Sequence, residues 1–462
     1  MLTYELKKAP GMPLYESLYR SIRGDILSGR LAPGEKLPSK RTLCANLKVS
    51  KITVEGAYNQ LLSEGYIRSE EKVGYFVEQV ERPEPKPQIP TVPQTPAHHY
   101  IDLTGNGPAR FPFSVWSKLQ REVLLEMGEE LLSDLHNQGS LPLRQAIAAH
   151  LGAFRGMQVD PENILIGAGT DFLYNLLVQL LGRGKCYAVE EPGYSKIRRI
   201  YAAAGAKCVS AFMDHQGVRP DSLAQAQVLH LSPSHHFPSG LVTPLSRRLE
   251  ILAWAKERED RWIIEDDYDS EFRFAAHPLP TMQSLDTAGK VIYMNTFSKT
   301  LAPSIRISYM VLPPVLMEAF RKELGFYSCT VPSFEQYTLE RFLSRGYFEK
   351  HINRMRKFYK VRRDRMLQLL QSCDSAGKLT ILEENAGLHF VVRVDTQLSD
   401  KELVDRCREK NLLVRSLGSY YHAAVPQYAQ KCLVVNYSGL TDEQMETLTQ
   451  SLKSLFFGFQ QG

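Results

Sequence analysis

Lys299 closes the run Thr296-Phe297-Ser298-Lys299. Upstream lies an acidic run, Glu265-Asp266-Asp267-Tyr268-Asp269, and Arg306 follows seven residues downstream. A lysine amine forms Schiff bases with aldehydes. A carboxylate keeps a ring nitrogen protonated, and a guanidinium grips a phosphate in bidentate fashion. Pyridoxal phosphate (PLP) needs those three groups, and the spacing here offers all of them.

Smaller signals accompany them. Thr296 adds a hydroxyl for the phosphate, and Tyr268 stands where it can hydrogen-bond the phenolate oxygen of the ring. Gly169-Thr170, within Gly167-Ala168-Gly169-Thr170-Asp171, lies between a strand and a helix, where unpaired backbone N–H groups receive a phosphate. Tyr194, after Glu191-Pro192-Gly193, follows the next strand and offers a ring to stack on an aromatic cofactor. Each has a blander reading when taken singly. A lone loop lysine is usually a surface charge, a glycine turn often serves only strand-to-helix geometry, and a tyrosine fills a core. Asp267 and Asp269 read as solvated or as caps of the following turn. The order aspartate, tyrosine, lysine, arginine at one sheet edge is what favours the cofactor. His235 and His236 adjoin no carboxylate or third ligand in sequence, so no metal site is expected.

These residues need a sheet to carry them. Short apolar runs at Ile164-Ile166, Cys186-Val189, Gln227-Leu231, Trp262-Ile264 and Val291-Met294 alternate with helical patterns, which implies a parallel sheet covered on both faces. Ligands then bind beyond the carboxyl ends of the strands. Leu388-Val392 and Leu433-Val435 read as strands of a smaller C-terminal α+β domain, with helices around 401–410 and 442–455. The domains expected are 1–80, a Pro-rich linker over 81–99 with six prolines between Arg82 and Pro96, a large domain over 100–375, and a small one over 376–462.

The first eighty residues have a different character. Apolar positions 14, 15, 18, 19, 22, 26 and 27 form a helical stripe. Ser39 caps a second helix running through Leu47, and Val49-Ser50 turns into a third, from about Lys51 to Glu64. Two helices joined by so tight a turn match the helix-turn-helix layout. Gly65-Arg68 and Glu71-Val77 read as a hairpin with Lys72 and Gly74 at its tip.

With 462 residues, 43% of them apolar and 23% charged, the chain is an ordinary multi-domain globular protein. The formal net charge is +5, from 56 basic and 51 acidic residues, which permits DNA binding without establishing it. Seven scattered cysteines form no CxxC pair, against a disulfide framework or a zinc site. No apolar run approaches the roughly 18 residues of a membrane span, and Met1-Lys8 is no secretory signal. A cytoplasmic location is expected.

The stretch "GEKLPSKRTLCANLKVSKITVEGAYNQLLSEGYI" resembles the winged-helix domain of GntR-type transcription regulators. That resemblance implies double-stranded DNA as partner, with contacts from Arg41, Ser50, Lys51, Thr53 and Gly74. "LSPSHHFPSG", "RRLEILAWA", "IIEDDYDSEFRF" and "NTFSKTLAPSIRISYM" resemble fold-type I PLP enzymes, specifically the aminotransferase-like domain of MocR regulators, and the likeness spans essentially the whole chain. It implies an α/β PLP-dependent transferase fold behind a mainly α winged helix-turn-helix. It also implies Lys299 as the Schiff-base lysine, Asp266 on the ring nitrogen and Tyr268 on the ring oxygen. Thr296, Arg306 and Gly169-Thr170 would hold the phosphate, and Tyr194 would stack. A homodimer reading two DNA half-sites follows from the same resemblance.

Two departures bear on function. Phe237-Pro238-Ser239-Gly240 stands where aminotransferases of this fold carry Asn-Pro-x-Gly, so the asparagine for the cofactor oxygen is missing, as it is in MocR proteins. Val434, two residues before Asn436, stands where aminotransferases place the arginine for the substrate α-carboxylate. The leading expectation is a PLP-dependent regulator sensing PLP or an amino compound, with control of vitamin B6 or amine metabolism as its setting. The alternative is an active aminotransferase with an attached DNA-binding domain.

Overall fold

The computed structural model describes residues 4, 13–80, 100–105, 110–274, 279–374, 377–385 and 387–456. The expected linker, 81–99, lies outside the described residues, as do 375, 376 and 457–462. The chain divides into two compact units, Met1–Pro96 and Ala97–Gly462.

In the first unit, α1 (Leu14–Ser28) ends at Gly29 in the left-handed conformation. After the short β1 (Lys36–Leu37), α2 (Lys40–Leu47) begins where the Ser39 hydroxyl accepts from Thr42 N–H at 3.1 Å. Lys48 takes a left-handed backbone and turns the chain into α3 (Lys51–Ser63), capped in the same way by Ser50 and Thr53. Leu18, Ile22, Leu43, Val54, Tyr58 and Leu61 bury the helices on one another. The hairpin is β2 (Ile67–Glu70) and β3 (Gly74–Val77), with Lys72 in a left-handed turn at its tip. The sequence did not announce β1, which adds a third strand antiparallel to β3.

The second unit opens with β4 (Ile101–Asp102), α4 (Phe113–Met127) and α5 (Leu141–Arg155). Alternating elements follow: β5 (Ile164–Gly167), α6 (Thr170–Leu181), β6 (Cys186–Glu191), α7 (Ser195–Ala203), β7 (Lys207–Asp214), β8 (Gly217–Val218), β9 (Val228–Leu231), α8 (Leu245–Lys256) and β10 (Trp262–Asp266). Next come α9 (Met282–Leu285), β11 (Val291–Thr296), β12 (Ser308–Val311), α10 (Pro314–Glu323), α11 (Ser333–Ser344) and α12 (Tyr347–Cys373). The large sheet has the order β5-β12-β11-β10-β9-β6-β7-β8. Alternate residues of β5 enter opposite cores, Leu165 on one face and Ile164 with Ile166 on the other, so helices cover both faces.

The sheet is mixed, not purely parallel. β12 runs antiparallel to both β11 and β5. The short connection 297–307 contains no crossover helix, so the chain can only return antiparallel. That return holds Lys299 and Arg306 together at the edge where β11 ends.

The C-terminal sheet, β13 (Leu379–Leu382), β14 (His389–Val394), β16 (Arg415–Ser416) and β17 (Cys432–Asn436), has the antiparallel order β13-β14-β17-β16. Helices α13 (Asp400–Glu409) and α14 (Asp442–Phe456) accompany it, while β15 (Leu412–Leu413) pairs in parallel with β4. Leu103 and the second half of α12 (Met355 to Leu370) join the core of this sheet, and Phe348 and Ile352 of α12 join the large one. One helix therefore serves both cores, and it ends at Cys373, ahead of the boundary expected at 375.

The acidic run after β10 does not face water. Glu265, Asp266, Asp267, Asp269 and Glu271 are each 5% exposed or less. Arg155 meets Asp267 at 2.9 Å, Tyr293 and Ser270 donate to Asp267, and Arg248 lies 3.9 Å from Glu265. Glu265 also accepts from the N–H groups of Met282 and Gln283. The solvated or turn-capping roles expected for Asp267 and Asp269 are thus replaced by buried pairing, because the run is folded under the sheet edge. Breaking a buried pair strands the remaining charge. Arg155→Ala should destabilise the second unit by about 3–5 kcal/mol, read as an earlier urea midpoint.

Candidate cofactor pocket and DNA-binding surface

One pocket at the carboxyl edge of the large sheet is lined by Thr170, Tyr194, Asp266, Tyr268, Thr296, Lys299 and Arg306, together with Ser298 and His389. The large-sheet strands meet the pocket at their C-terminal ends, Gly167 ending β5, Asp266 ending β10 and Thr296 ending β11, while His389 opens β14 of the C-terminal sheet. The Lys299 amine lies 6.0 Å over the Tyr268 ring. Burial lowers its pKa from the usual 10.5, while Asp269 and Asp266 pull the other way. Burial raises the Tyr268 hydroxyl well above 10, with neighbouring carboxylates adding to it.

Asp266 accepts from the Tyr174 hydroxyl through Oδ2, and His230 Nε2 is 3.4 Å from that oxygen. Its other oxygen, Oδ1, is buried without a hydrogen-bond partner. A dry carboxylate oxygen of this kind is costly unless a donor is brought to it. A protonated ring nitrogen is such a donor.

On the phosphate side, Gly169 (φ +92°) caps α6, and a Cβ there would collide with the Arg306 guanidinium. Only glycine lets that arginine lie against the helix N-terminus. Arg306 donates to the Ala168 carbonyl at 3.4 Å and lies 3.7 Å from Asp171, which Lys196 also meets at 2.6 Å. Thr296 Oγ1 accepts from Ser308 at 2.8 Å and from Ser298 N–H at 3.1 Å. The Ser298 hydroxyl is buried without a partner, an open donor in the pocket. Tyr194 is half exposed, its ring edge-on to Phe237 at 5.8 Å.

Sequence reasoning passed over several of these groups. Tyr174, one helical turn after Thr170, carries no local signal of its bond to Asp266. Ser298 lay inside the quoted motif unassigned. Glu190, largely shielded, lines the pocket, its carboxyl raised well above the usual range by desolvation. His235, expected to have no carboxylate beside it, meets Asp269 at 2.9 Å.

The substrate side differs from an aminotransferase's. Val434 is buried in an apolar cluster with Phe237 and Tyr420. Of the cations that follow Tyr194, Lys196 is drawn to Asp171, Arg198 lies 3.5 Å from Glu191, and Arg199 is exposed. Arg415 is the cross-strand partner of Val434 in β16.

In the first unit, Ser50, Lys51 and Thr53 occupy the exposed start of α3, with Lys51 3.6 Å from Glu55. Arg41 is exposed on α2, and Gly74 (φ +138°) begins β3 beside the Lys36 side chain. Ile52 was not foreseen. It is 80% exposed, off the buried stripe of α3, and is the kind of apolar side chain that meets thymine methyls.

Comparisons with known proteins agree with both halves. Residues 98–452 match the family of class I and II aminotransferases, and residues 14–77 match the gntR family of bacterial regulatory proteins. A probable rhizopine catabolism regulatory protein, MocR, of Rhizobium meliloti is 31% identical over 98% of this chain and 96% of its own. The chain belongs to the MocR subfamily of GntR-type transcription regulators. The pyridoxine biosynthesis regulator PdxR of Corynebacterium glutamicum is 30% identical over 87% of this chain and 88% of its own. A multiple substrate aminotransferase from Thermococcus profundus shares the fold, with a TM-score of 0.69 and 24% identity over 78% of this chain and 92% of its own. This MocR-type chain therefore joins a GntR helix-turn-helix, which implies DNA binding, to an aminotransferase fold whose family is PLP-dependent. No helix among its described residues is long and apolar enough to cross a membrane.

The lowered basicity of Lys299 makes a kinetic prediction. Only the neutral amine attacks a carbonyl, so the rate at which apo protein takes up PLP should rise with pH. Half-maximum should fall below 10.5, the ordinary lysine value. Stopped-flow absorbance over a pH series measures it.

Proposed function

We propose that this regulator binds PLP at Lys299 and adjusts its grip on DNA according to what occupies that pocket, PLP itself or an amino compound. The observation carrying the proposal is the open Oδ1 of Asp266, buried in the same pocket as the Lys299 amine. PLP, when bound, supplies an electrophilic carbonyl carbon and an electron-withdrawing ring. In this reading Asp266 holds the proton on the ring nitrogen, braced by Tyr174 and His230. Tyr268 donates to the ring oxygen and Tyr194 covers the ring face. Arg306, Thr296, Ser298 and the Gly169-Thr170 N–H groups hold the phosphate.

The DNA half of the proposal assigns base or backbone contacts to Arg41, Ser50, Lys51, Thr53 and Gly74, with Ile52 added as an apolar reader. Helix-turn-helix dimers read two half-sites, so a cytoplasmic homodimer on an operator with two half-sites is the form proposed. Changes in the PLP pocket would act through the spacing of the two DNA heads. The PdxR relative makes vitamin B6 supply a natural setting and PLP itself the favoured signal.

The second reading, a working aminotransferase, keeps every cofactor contact. Val434 weighs against it, because turnover depends on a fixed carboxylate anchor and a buried valine provides none.

The test starts from DNA selected by the full-length protein out of a random pool. Its binding is then measured with and without added PLP, for wild type and Lys299→Ala, both freed of PLP beforehand. The selected DNA should carry two half-sites. PLP should change wild-type affinity by about fivefold or more, and Lys299→Ala should bind DNA yet ignore PLP. Wild-type affinity indifferent to PLP would refute PLP as the signal.

A further inference from the structure

The wall of the pocket nearest the Tyr268 hydroxyl contains a hydrogen-bonded chain that no cofactor role has yet used. His235 Nδ1 lies 2.9 Å from Asp269 Oδ2 and 3.1 Å from Oδ1. The same nitrogen lies 3.2 Å from the Tyr268 hydroxyl. All three residues are buried or nearly so, and the contacts join a loop after β9 to the turn after β10.

Hydrogen-bond inventory fixes the direction of this chain. An ionised carboxylate only accepts, so the close contact to Asp269 places a hydrogen on His235 Nδ1. Tyr268 then meets an N–H, not a lone pair, and its oxygen acts as a second acceptor for it. A tyrosine oxygen that accepts from His235 keeps its own hydrogen free for another partner, on the side of the pocket. A histidine tautomer set by a carboxylate, and in turn setting the direction of a neighbour, is a recurring device in polar sites.

The seat of His235 is closed on every side. Gly387 (φ +67°) passes so near that a Cβ there would overlap the imidazole ring, so the ring packs flat on backbone. Gly387 is itself held by its N–H to the Phe272 carbonyl at 2.9 Å and by the Tyr437 hydroxyl on its own carbonyl at 2.7 Å. His389 lies against it with its ring tilted, 4.7 Å between ring centres, and is fixed by the Pro238 carbonyl at 3.2 Å. The titratable groups around His235 are thus Asp269, Tyr268, His389, His236 and Glu383. The His235 Nε2 atom is buried without a partner, so the imidazole is secured through Nδ1 alone.

Beside this chain stands Phe237, which replaces the asparagine of aminotransferases and brings no polar atom. Its ring packs on His389 and Tyr420. We infer that His235, held by Asp269, is a positioning residue that aims the Tyr268 O–H at the ring oxygen of PLP, taking over the orienting task left by the missing asparagine. The inference rests on the PLP reading proposed above. His235 acts through Tyr268 and touches no reacting atom.

The consequence is spectroscopic. A donor on the ring oxygen draws electron density from it and makes the proton beside the Lys299 nitrogen more acidic. Weakening that donor therefore raises the pH at which the visible band of PLP-loaded protein changes. The informative variants are His235→Asn, whose amide nitrogen falls near the Nδ1 position, and His235→Gln, whose amide reaches toward Nε2 instead. Both are polar, and asparagine removes more volume than glutamine, so packing loss alone would favour the opposite order of effects. Full-length protein loaded with PLP is titrated by absorbance. His235→Gln and Tyr268→Phe should each raise the midpoint by about one pH unit, the tenfold change expected for losing a charge-assisted hydrogen bond. The His235→Gln/Tyr268→Phe double variant should move no further than either alone, and His235→Asn should stay near wild type. Equal midpoints for Asn and Gln, or additive shifts in the double variant, would overturn the inference. A visible band that survives Lys299→Ala would overturn the PLP reading itself, and this inference with it. A Lys299-dependent band indifferent to His235 would overturn this inference alone.

Discussion

Five carboxylates within seven residues, buried under the edge of the large sheet, are the constraint that the rest of this fold answers. Charges taken out of water survive only if each finds an opposite charge or donor. Here the answers come from almost every element of the sheet: Arg155 from the end of α5, Tyr174 from α6, His230 from β9, Arg248 from α8, Tyr293 and Asn295 from β11. Burial raises Glu265 and Glu271 to about 7, so part of the charge is shed as protons near neutrality. Asp266 alone keeps an open oxygen facing the pocket. Asp267 Oδ1 and Glu271 Oε2 are also buried without a partner, but neither residue lines the pocket; the open oxygen that does is where a cationic ring nitrogen fits.

How much of this was readable beforehand follows from sequence distance. The Lys299 loop was legible because its lysine, hydroxyls and arginine fall within one short motif. The five parallel strands were legible from their apolar runs, and the two serine caps of the helix-turn-helix from local spacing. Tyr174 and Asp266 stand 92 positions apart, and His235 and Asp269 34, so neither pairing has a local signature. β12 escaped notice because its run, Ser308-Val311, directly follows the phosphate arginine and carries no turn signal of its own. Asp267 and Asp269 were misread because an isolated acidic run usually faces water. Only the buried arginine and histidine, distant in sequence, reverse that expectation.

The two halves of the chain divide the work between reading DNA and holding a small molecule. Within the aminotransferase fold, the cofactor side keeps most of its polar groups while the substrate side has been altered. Valine replaces arginine at position 434 and phenylalanine replaces asparagine at 237. Those changes remove anchors for a substrate carboxylate and for the cofactor oxygen but leave the amine, the ring-nitrogen acid and the phosphate cradle. Such a site is suited to retaining PLP more than to turning over amino acids, which is the economy a sensor requires.

The central claim is that the Lys299 amine holds PLP covalently while Asp266 pairs with its ring nitrogen. Borohydride reduction of PLP-loaded protein, followed by peptide mass mapping, tests it most directly. The account predicts a phosphopyridoxyl group on the peptide containing Lys299 and on no other. An unmodified Lys299 peptide, or label spread over other lysines, would contradict it.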